Sequence, residues 1–246
     1  MDRLRYARHL SLPEFGEDAQ SELGRSTALI VGMGGLSNPS AAYLAAAGIG
    51  RLILADFDSV DTANLQRQIL FDSTQVGHDK AQAARDRLLA LNPAVAIDCE
   101  RERLDDANLD RLLPEVDVIL DGSDNFPTRF AVNRAAVRHG RPLVSGAAIR
   151  WQGQVAVFDS RHGGCYACLF DEAAADDDMG DCASNGVLGP LVGVIGAMQA
   201  VEAIKLLTGR GEALQDRLLR YDAHSGRWRE TRFARDPLCP VCGRRN

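Results

Sequence analysis

Short aliphatic and β-branched runs alternate with longer helical stretches over the first 150 residues of the chain. The aliphatic runs predict strands at 27–31, 51–55, 94–99, 116–120 and 143–145. Strands that alternate with helices build βαβ units, so we expect a mostly parallel sheet covered by helices. Between the first two strands the sequence predicts an alanine-rich helix with Asn38 as its N-cap, Pro39 at its first position and Gly48 at its end.

The pattern changes after residue 150. Runs at 154–158, 218–221 and 228–233 read as antiparallel strands that flank one long helix over 191–207. We expect these strands to extend the same sheet, so residues 1–246 form a single α/β domain. Its fold class is a Rossmann-like, mostly parallel sheet over 1–150, continued by antiparallel C-terminal strands over 151–246.

Composition and charge narrow the function classes. The chain has 46% hydrophobic and 25% charged residues and a formal net charge of -6, which is typical of a globular protein and argues against sequence-independent binding of nucleic acid. A cationic partner fits this charge better. The N-terminus lacks the apolar segment of a signal peptide, and Gln199 and Glu202 interrupt the longest apolar run, so we expect a cytoplasmic protein outside the membrane.

The first candidate site is the loop after the first strand, Gly32-Met33-Gly34-Gly35. Such a loop lets the backbone N–H groups at a helix start approach a phosphate. Asp56 ends the second strand, where an acidic side chain can accept a hydrogen bond from a ribose hydroxyl. Both features occur in NAD-binding and in ATP-using enzymes, so they do not separate the two.

Charged and amide side chains further along favour ATP. Asn64, Arg67, Gln68 and Lys80 bring two fixed cations to the nucleotide end of the sheet, and a leaving pyrophosphate needs such charge more than a dinucleotide does. Asp124 follows the fourth strand and is placed to hold magnesium on the phosphates. The alternative is that Asp124 only caps the next helix.

Four of the six cysteines form two CxxC pairs, Cys165 with Cys168 and Cys239 with Cys242. This spacing predicts a closed, tetrahedral structural zinc site that ties the C-terminal segment to the region after Phe158. Cys99 ends a predicted strand and is interpreted as a packing residue. The acidic stretch 171–182 has no apolar period and predicts a mobile, solvated loop.

Over essentially its whole length the chain resembles the MoeB/ThiF family, bacterial relatives of the ubiquitin-activating enzymes. The matching segments are Arg5–His9, Gly32–Gly35, Asp56–Asp58, Asn64–Gln68, Lys80, Ser123–Asn125, Val144–Ala147, Gly186–Pro190 and both CxxC pairs. The resemblance implies that Mg-ATP binds to the glycine loop including Gly35 and to Asp56, Asn64, Arg67, Lys80, Asp124 and Asn125. Gln68, from the stretch that favours ATP, is expected to join this set. It also implies a homodimer in which Arg8 reaches into the active site of the neighbouring subunit. Within the single domain, 1–150 is expected to be the nucleotide-binding half and 151–246 the carrier-binding and zinc half.

The reaction that the resemblance implies is adenylylation. The terminal glycine carboxylate of a small ubiquitin-like sulfur-carrier protein ending in Gly-Gly attacks the α-phosphate of ATP and releases pyrophosphate. Cys182 matches a reactive cysteine of the family that can bond the carrier's acyl group, and an unreactive loop thiol is the alternative. The pathway stays open between molybdopterin (MoeB type) and the thiazole of thiamine (ThiF type), and a carrier of another sulfur pathway is also open. The sulfur is expected from a separate donor protein.

One residue departs from the family pattern. Ser37 stands where the family commonly has glycine, and it would be strained if the position required a positive φ. Two other function classes follow from the same residues. An NAD-dependent oxidoreductase rests on the glycine loop and Asp56 but leaves Arg67, Lys80 and Arg8 unexplained, whereas a non-catalytic carrier-binding adaptor rests on Ser37 alone.

Overall fold

The computed structural model describes residues 2–172 and 185–243. Its strands are β1 (Thr27–Val31), β2 (Arg51–Ala55), β3 (Ala96–Glu100), β4 (Val118–Asp121), β5 (Leu143–Ile149), β6 (Gln152–Phe158), β7 (Arg217–Asp222) and β8 (Arg227–Arg232). The helices are α1 (Ala7–Leu10), α2 (Gly16–Leu23), α3 (Ser37–Ala47), α4 (Lys80–Leu91), α5 (Asp106–Leu112), α6 (Phe126–His139) and α7 (Gly189–Thr208).

All eight strands form one sheet in the order β3-β2-β1-β4-β5-β6-β7-β8. The first five strands in that order are parallel, and β6, β7 and β8 continue the sheet in antiparallel pairing. The predicted fold class is therefore confirmed, including the extension of the parallel sheet by the C-terminal strands. The strand predicted at 143–145 extends to Ile149. It is longer than expected because β5 pairs with β6 over its full length, from Leu143 opposite Phe158 to Ile149 opposite Gln152.

Helices cover both faces of the parallel part, which is why β1, β2 and β4 are apolar and almost wholly buried. One core cluster joins the sheet to α3, α4 and α7, and a second joins the opposite face to α5 and α6. Helix α7 is long and apolar enough to cross a membrane by length and composition, yet half of that window is buried inside the protein. Gln199 and Glu202 are among its buried residues, so in this fold α7 packs on the sheet as a core helix.

The start of α3 differs from the prediction. The helix begins at Ser37 with Leu36 before it, so Asn38 is not its N-cap. The Asn38 side chain forms other hydrogen bonds instead. Its Nδ2 donates to the Met33 carbonyl at 2.9 Å, and its Oδ1 accepts from the Leu70 N–H at 2.8 Å. The predicted end is confirmed, because Gly48 follows the last turn with φ of +87°.

Ser37 is not strained. Among the described residues only Arg150 and Asp216 combine a side chain with a positive φ. Ser37 lies in the first turn of α3, buried, with its hydroxyl against the backbone of Gly122. The condition under which serine would be strained, a positive φ at residue 37, is therefore not met. The positive φ belongs to Gly32 instead, at +77°.

Candidate nucleotide site and four-cysteine cluster

A cleft with a volume of about 340 Å³ opens at the carboxyl edge of the parallel strands. It lies between the loops that follow β1 and β4, where the strand order reverses, and open α/β sheets bind ligands at such a point. All ten residues predicted to bind the nucleotide line this one cleft: Gly32, Gly34, Gly35, Asp56, Asn64, Arg67, Gln68, Lys80, Asp124 and Asn125. Residues scattered over 94 positions of the sequence are thus brought together by the topology.

The glycines of the loop meet different local demands. A Cβ added to Gly35 would lie 2.9 Å from Val192 Cγ2 and 3.2 Å from Arg67 Cγ, so only glycine lets this turn pack against α7. A Cβ at Gly34 would meet no atom within 4 Å, so the backbone there faces open space. The loop is therefore packed on one side and accessible on the other, as close approach of a phosphate requires.

Asp56 holds the glycine loop through a hydrogen bond to its backbone. Its Oδ2 accepts from the Met33 N–H at 2.6 Å, and its Oδ1 accepts from the Asp58 N–H at 2.8 Å. Burial raises the pKa of Asp56 above its ordinary value, while these two N–H donors and the charge of Lys80 act in the opposite direction. Each carboxylate oxygen can accept a second hydrogen bond, so Asp56 can position the loop and also face a ligand hydroxyl.

Two cations enter the cleft from the segment after β2. Lys80 opens α4, and its Nζ lies 3.2 Å from Asp58 Oδ2 although the lysine side chain is only 8% exposed. Arg67 is half-buried, and its Nη1 donates to the Ala63 carbonyl at 3.1 Å. Gln68 Nε2 donates to Asn64 Oδ1 at 2.6 Å. Lys80 is thus paired with Asp58, whereas no ion pair of Arg67 is found among the described residues, and both cations line the cleft where an anionic ligand would bind.

In the loop after β4, Asn125 and Asp124 have different roles. Asn125 is the N-cap of α6, because its Oδ1 accepts from the Thr128 N–H at 3.0 Å. Asp124 therefore does not cap this helix, and the alternative interpretation of it is wrong. Its carboxylate is exposed at the cleft, with Asn125 Nδ2 at 3.4 Å from Asp124 Oδ1.

Arg129 is a residue of the cleft wall that the sequence analysis missed. It lies on α6, is 7% exposed, and donates through Nη2 to the carbonyls of Ser123 and Gly146 and through Nη1 to Ser145 Oγ. Its Nη1 lies 3.6 Å from Asp121 Oδ2. No sequence motif identifies an arginine one turn into a helix. Its position shortly after Asp124, at the carboxyl end of a predicted strand, is the one feature of the sequence that could have indicated a place near the cleft.

The outer rim contains a second missed group. Arg103 lies over the ring of Phe57, with its guanidinium carbon 4.7 Å from the ring centroid, and Glu102 and Leu104 line the cleft beside it. All three follow β3, whose carboxyl end meets the same sheet edge as β1 and β2. The strand order, once known, places them at the cleft.

Two predicted residues are not part of this cleft. Arg8 lies in a separate surface depression with Tyr43, Ala197 and Val201, away from the nucleotide residues of its own chain. The reach of Arg8 into a neighbouring subunit stays a prediction. Residues 173–182 of the acidic stretch, which include Cys182, lie outside the described residues.

The four paired cysteines meet at one point. Their sulfur atoms all lie within 4.8 Å of one another, with 3.3 Å between Cys168 and Cys242 and 3.7 Å between Cys165 and Cys239. Four thiolates around one zinc ion, with bonds of about 2.3 Å, stand about 3.8 Å apart, so the cluster fits that ion. The backbone N–H of Asp236 points to Cys168 Sγ at 3.4 Å, and Asn133 Nδ2 points to Cys165 Sγ at 3.6 Å. Such donors commonly support metal-bound sulfur.

Comparison with known proteins assigns the architecture. The ThiF family model matches residues 6–241, which include the cleft, Arg8 and three of the four clustered cysteines. The chain belongs to the ThiF family.

Relatives of this ThiF-family chain have specific names. It is 45% identical over 246 residues to the molybdopterin-synthase adenylyltransferase of Escherichia coli, covering 98% of this chain and 97% of that one. It is 43% identical over 244 residues to a sulfur carrier protein adenylyltransferase of Thermus thermophilus, covering 97% and 90%. The chain spans only 53% of the length of the Drosophila yakuba adenylyltransferase and sulfurtransferase MOCS3, with 45% identity over 242 residues.

A solved structure of Escherichia coli MccB with ATP has the same fold. The two chains superpose with a TM-score of 0.85 at 25% identity, over 97% of this chain and 74% of that one. The ThiF fold of this chain is therefore shared by a protein whose structure was determined with ATP.

Proposed function

We propose that this ThiF-family protein adenylylates the C-terminal glycine carboxylate of a small ubiquitin-like sulfur-carrier protein, using ATP and releasing pyrophosphate. The observation that carries the proposal is the convergence in one cleft of the glycine loop, Asp56 and the cations Arg67 and Lys80. Near full-length relatives with 43% to 45% identity and adenylyltransferase names support it.

The chemistry requires alignment and charge more than a protein nucleophile. The attacking carboxylate is already ionised at neutral pH. It must approach a triphosphate of the same sign, and Arg67 and Lys80 offset this repulsion and stabilise the leaving pyrophosphate. The glycine loop presents backbone N–H groups to the phosphates, and Asp56 holds the loop through Met33.

Asp124 fits a magnesium ion that arrives with the nucleotide. Magnesium in nucleotide sites is commonly bound by one or two carboxylates together with the substrate phosphates, and Asp124 offers one exposed carboxylate at the cleft. The ion would neutralise phosphate charge there. Asn125 fixes the loop by capping α6, which holds the neighbouring Asp124 in place.

Zinc has a structural role in this proposal, because four sulfur ligands leave no open position for a substrate. It joins the segment at Cys165 to the C-terminal segment at Cys239. We further propose a cytoplasmic homodimer in which Arg8 completes the neighbouring cleft, a separate sulfur donor, and Cys182 as the residue that bonds the carrier in a thiazole-type pathway. The carrier is that of either the molybdopterin or the thiamine pathway.

An NAD-dependent oxidoreductase and a non-catalytic adaptor each explain fewer of the residues in the cleft. An oxidoreductase that binds NAD would leave Lys80 and Arg67 without a use, because a dinucleotide needs little side-chain charge at its diphosphate. A non-catalytic adaptor rested on Ser37 alone, and Ser37 does not have the positive φ that would make serine unsuitable there. Neither class is favoured by a specific contact in the cleft.

The test is the exchange of labelled pyrophosphate into ATP by the purified protein with magnesium. A molybdopterin-pathway carrier and a thiazole-pathway carrier are added in turn, each intact and each lacking its terminal glycine. We expect exchange that requires one intact carrier, which also names the pathway. Exchange that ignores the terminal glycine, or saturable binding of NAD with no effect of ATP on the melting temperature, would contradict the proposal.

A further inference from the structure

Helix α6 connects the nucleotide cleft to the four-cysteine cluster. Its N-cap, Asn125, lies at the cleft beside Asp124. Arg129, Asn133 and Val137 follow at intervals of four residues, so they lie along one side of the helix, and all three are buried. Val137 packs in the same small core as the buried cysteines of the cluster. One helix face of about 12 Å, from Asn125 to Asn133, thus separates the two sites.

Asn133 holds the segment Cys165–Cys168, here called the knuckle, against this helix. The Asn133 side chain is buried, with 1% of the residue exposed. Its Oδ1 accepts a hydrogen bond from the Tyr166 N–H at 2.9 Å, and its Nδ2 donates to Cys165 Sγ at 3.6 Å. One amide therefore binds both the backbone of the knuckle and one of its sulfur atoms. Because a buried N–H without a partner is costly, this contact fixes the knuckle on α6.

Tyr166 reaches from the knuckle back toward the cleft. The residue is only 3% exposed, and its ring packs edge-on against Phe130 of α6 and stacks on Phe170, with ring centroids 5.3 Å and 4.5 Å away. Burial raises the pKa of Tyr166, whereas the charge of Arg129 and a hydrogen bond from that residue act in the opposite direction. The Tyr166 hydroxyl therefore lies against the Arg129 guanidinium.

Arg129 connects this contact to the loop that carries Asp124. Its guanidinium donates to the carbonyl of Ser123, the residue directly before Asp124, and to the Gly146 carbonyl of β5 at 2.9 Å. The residue directly after Asp124 is Asn125, which caps α6. Asp124 is thus held on both sides by groups that belong to the start of this helix, while its own carboxylate is exposed at the cleft.

Other charged residues of the cleft are held from elsewhere. Among the described residues, the side chain of Asp56 accepts hydrogen bonds from the backbone of Met33 and Asp58. Lys80 pairs with Asp58, and Arg67 donates to a carbonyl in its own segment after β2. None of these three side chains is bound to α6 or to the knuckle. A shift of the knuckle would therefore move Asp124 more than it moves the two cations.

We propose that the four-cysteine cluster determines the position of the Asp124 loop, and that Tyr166 and Arg129 are the positioning residues that connect the two. Four thiolates bound to one ion hold the knuckle in a single arrangement. The Tyr166 hydroxyl then fixes the guanidinium that binds the Ser123 carbonyl. This inference rests on the proposed function for its ligand, Mg-ATP. It adds to the structural role of zinc an effect on nucleotide binding, exerted through magnesium at Asp124.

The test uses a substitution that removes only the Tyr166 hydroxyl. Tyr166→Phe keeps the ring against Phe130, so we expect this variant to fold and to bind zinc as the wild type does. Tyr221→Phe is the matched control, because it removes a hydroxyl from β7, outside the cleft and the cluster. The Kd for ATP is measured by titration calorimetry without a carrier, once with magnesium and once without it. Zinc content and melting temperature are measured on the same samples.

We expect Tyr166→Phe to raise the Kd for Mg-ATP about fivefold, the effect of one lost hydrogen bond, and to leave the Kd for ATP without magnesium unchanged. The two values differ because only the Asp124 loop is displaced and Asp124 acts through magnesium. Tyr221→Phe should bind both forms as the wild type does. Zinc-free wild-type protein, freed of its chelator before magnesium is added, should show a similar weakening, to which Tyr166→Phe adds little.

Three results would overturn this connection. The first is a wild-type Kd for Mg-ATP in Tyr166→Phe. The second is equal weakening with and without magnesium, since a general loosening of the fold acts on every residue of the cleft. The third is removal of zinc that weakens Tyr166→Phe as strongly as the wild type, because the cluster would then act without the Tyr166 hydroxyl. All three leave the proposed function intact, whereas a wild-type protein that binds no ATP would contradict that function.

Discussion

Arg129 and Asp121 form a buried ion pair, with Arg129 Nη1 at 3.6 Å from Asp121 Oδ2 and the Asp121 side chain wholly buried. The pair lies behind the cleft, between α6 and the end of β4. Arg129 also binds the Ser123 carbonyl, one residue before Asp124, and the Gly146 carbonyl of β5. One guanidinium thus holds the Asp124 loop against the neighbouring strand.

Removing Arg129 should therefore destabilise the fold. Arg129→Ala leaves Asp121 buried without its cation, and such a change commonly costs about 3–5 kcal/mol of unfolding free energy. Asp121→Asn removes the charge from the other partner, and the double variant should lose less than the two single losses added together. Urea denaturation of the four proteins measures this coupling, and strict additivity would show that the pair contributes nothing of its own.

The two cations of the cleft should act on the chemistry rather than on the fold. Arg67→Ala and Lys80→Ala each remove charge from the place where pyrophosphate is expected to leave, so we expect pyrophosphate exchange to fall about 10²- to 10³-fold. Arg210→Ala, an exposed substitution outside the cleft, should leave exchange unchanged. Normal exchange by Arg67→Ala, with the melting temperature preserved, would remove Arg67 from the mechanism.

Local pattern was sufficient for the sheet but not for every contact within it. The apolar runs placed β1, β2 and β4 because a fully buried parallel strand needs apolar residues on both faces. Asn38 was assigned to the wrong role because the Leu70 N–H, distant in sequence, competes for its side chain. The pairs of residues that face each other across β7 and β8 could not be predicted, since only the strand register determines them.

In the candidate site, too, some residues could be predicted from the sequence and others could not. Gly35 and Lys80 were predicted because they stand at positions that match the family pattern, one in the loop after β1 and one at the start of α4, whereas Arg129 belongs to no motif. Its role depends on Ser145 and Gly146, which reach it only because β5 pairs beside β4. Long-range partners of a buried charge are therefore the part of the site that requires the structure.

Asp159 should make stability depend on pH at the acidic end. It is buried, which by itself raises its pKa, but hydrogen bonds from the Arg161 guanidinium and backbone N–H hold the pKa of this carboxyl below its usual value. A lowered pKa in the folded state stabilises the protein above the unfolded-state pKa of about 4 and loses that contribution as the pH falls through the lowered value. Asp159→Asn should accordingly cost about 1 kcal/mol at pH 7.

The measurement for Asp159 is the unfolding free energy of both proteins between pH 7 and pH 2. The difference between wild type and Asp159→Asn should shrink as the pH falls below about 4, because protonation removes the same interaction from the wild type. Asp222 offers a comparison at a half-buried position, where hydrogen bonds from Ser225 also lower the carboxyl pKa. A difference that stays constant over the whole range would mean that Asp159 acts through packing.

The cysteine cluster leads to a prediction about composition and stability together. Elemental analysis of the purified protein should find one zinc ion per chain, because four sulfur ligands complete one tetrahedral site. Cys168→Ser and Cys242→Ser should lose the metal and lower the melting temperature, since the ion joins two segments that are distant in the sequence. Cys99→Ser is the matched control: Cys99 Sγ donates to the Ala81 carbonyl at 3.4 Å and lies outside the cluster, so this variant should retain zinc. Zinc that remains bound after Cys242→Ser, at wild-type stoichiometry and stability, would show that the four cysteines do not act as one site.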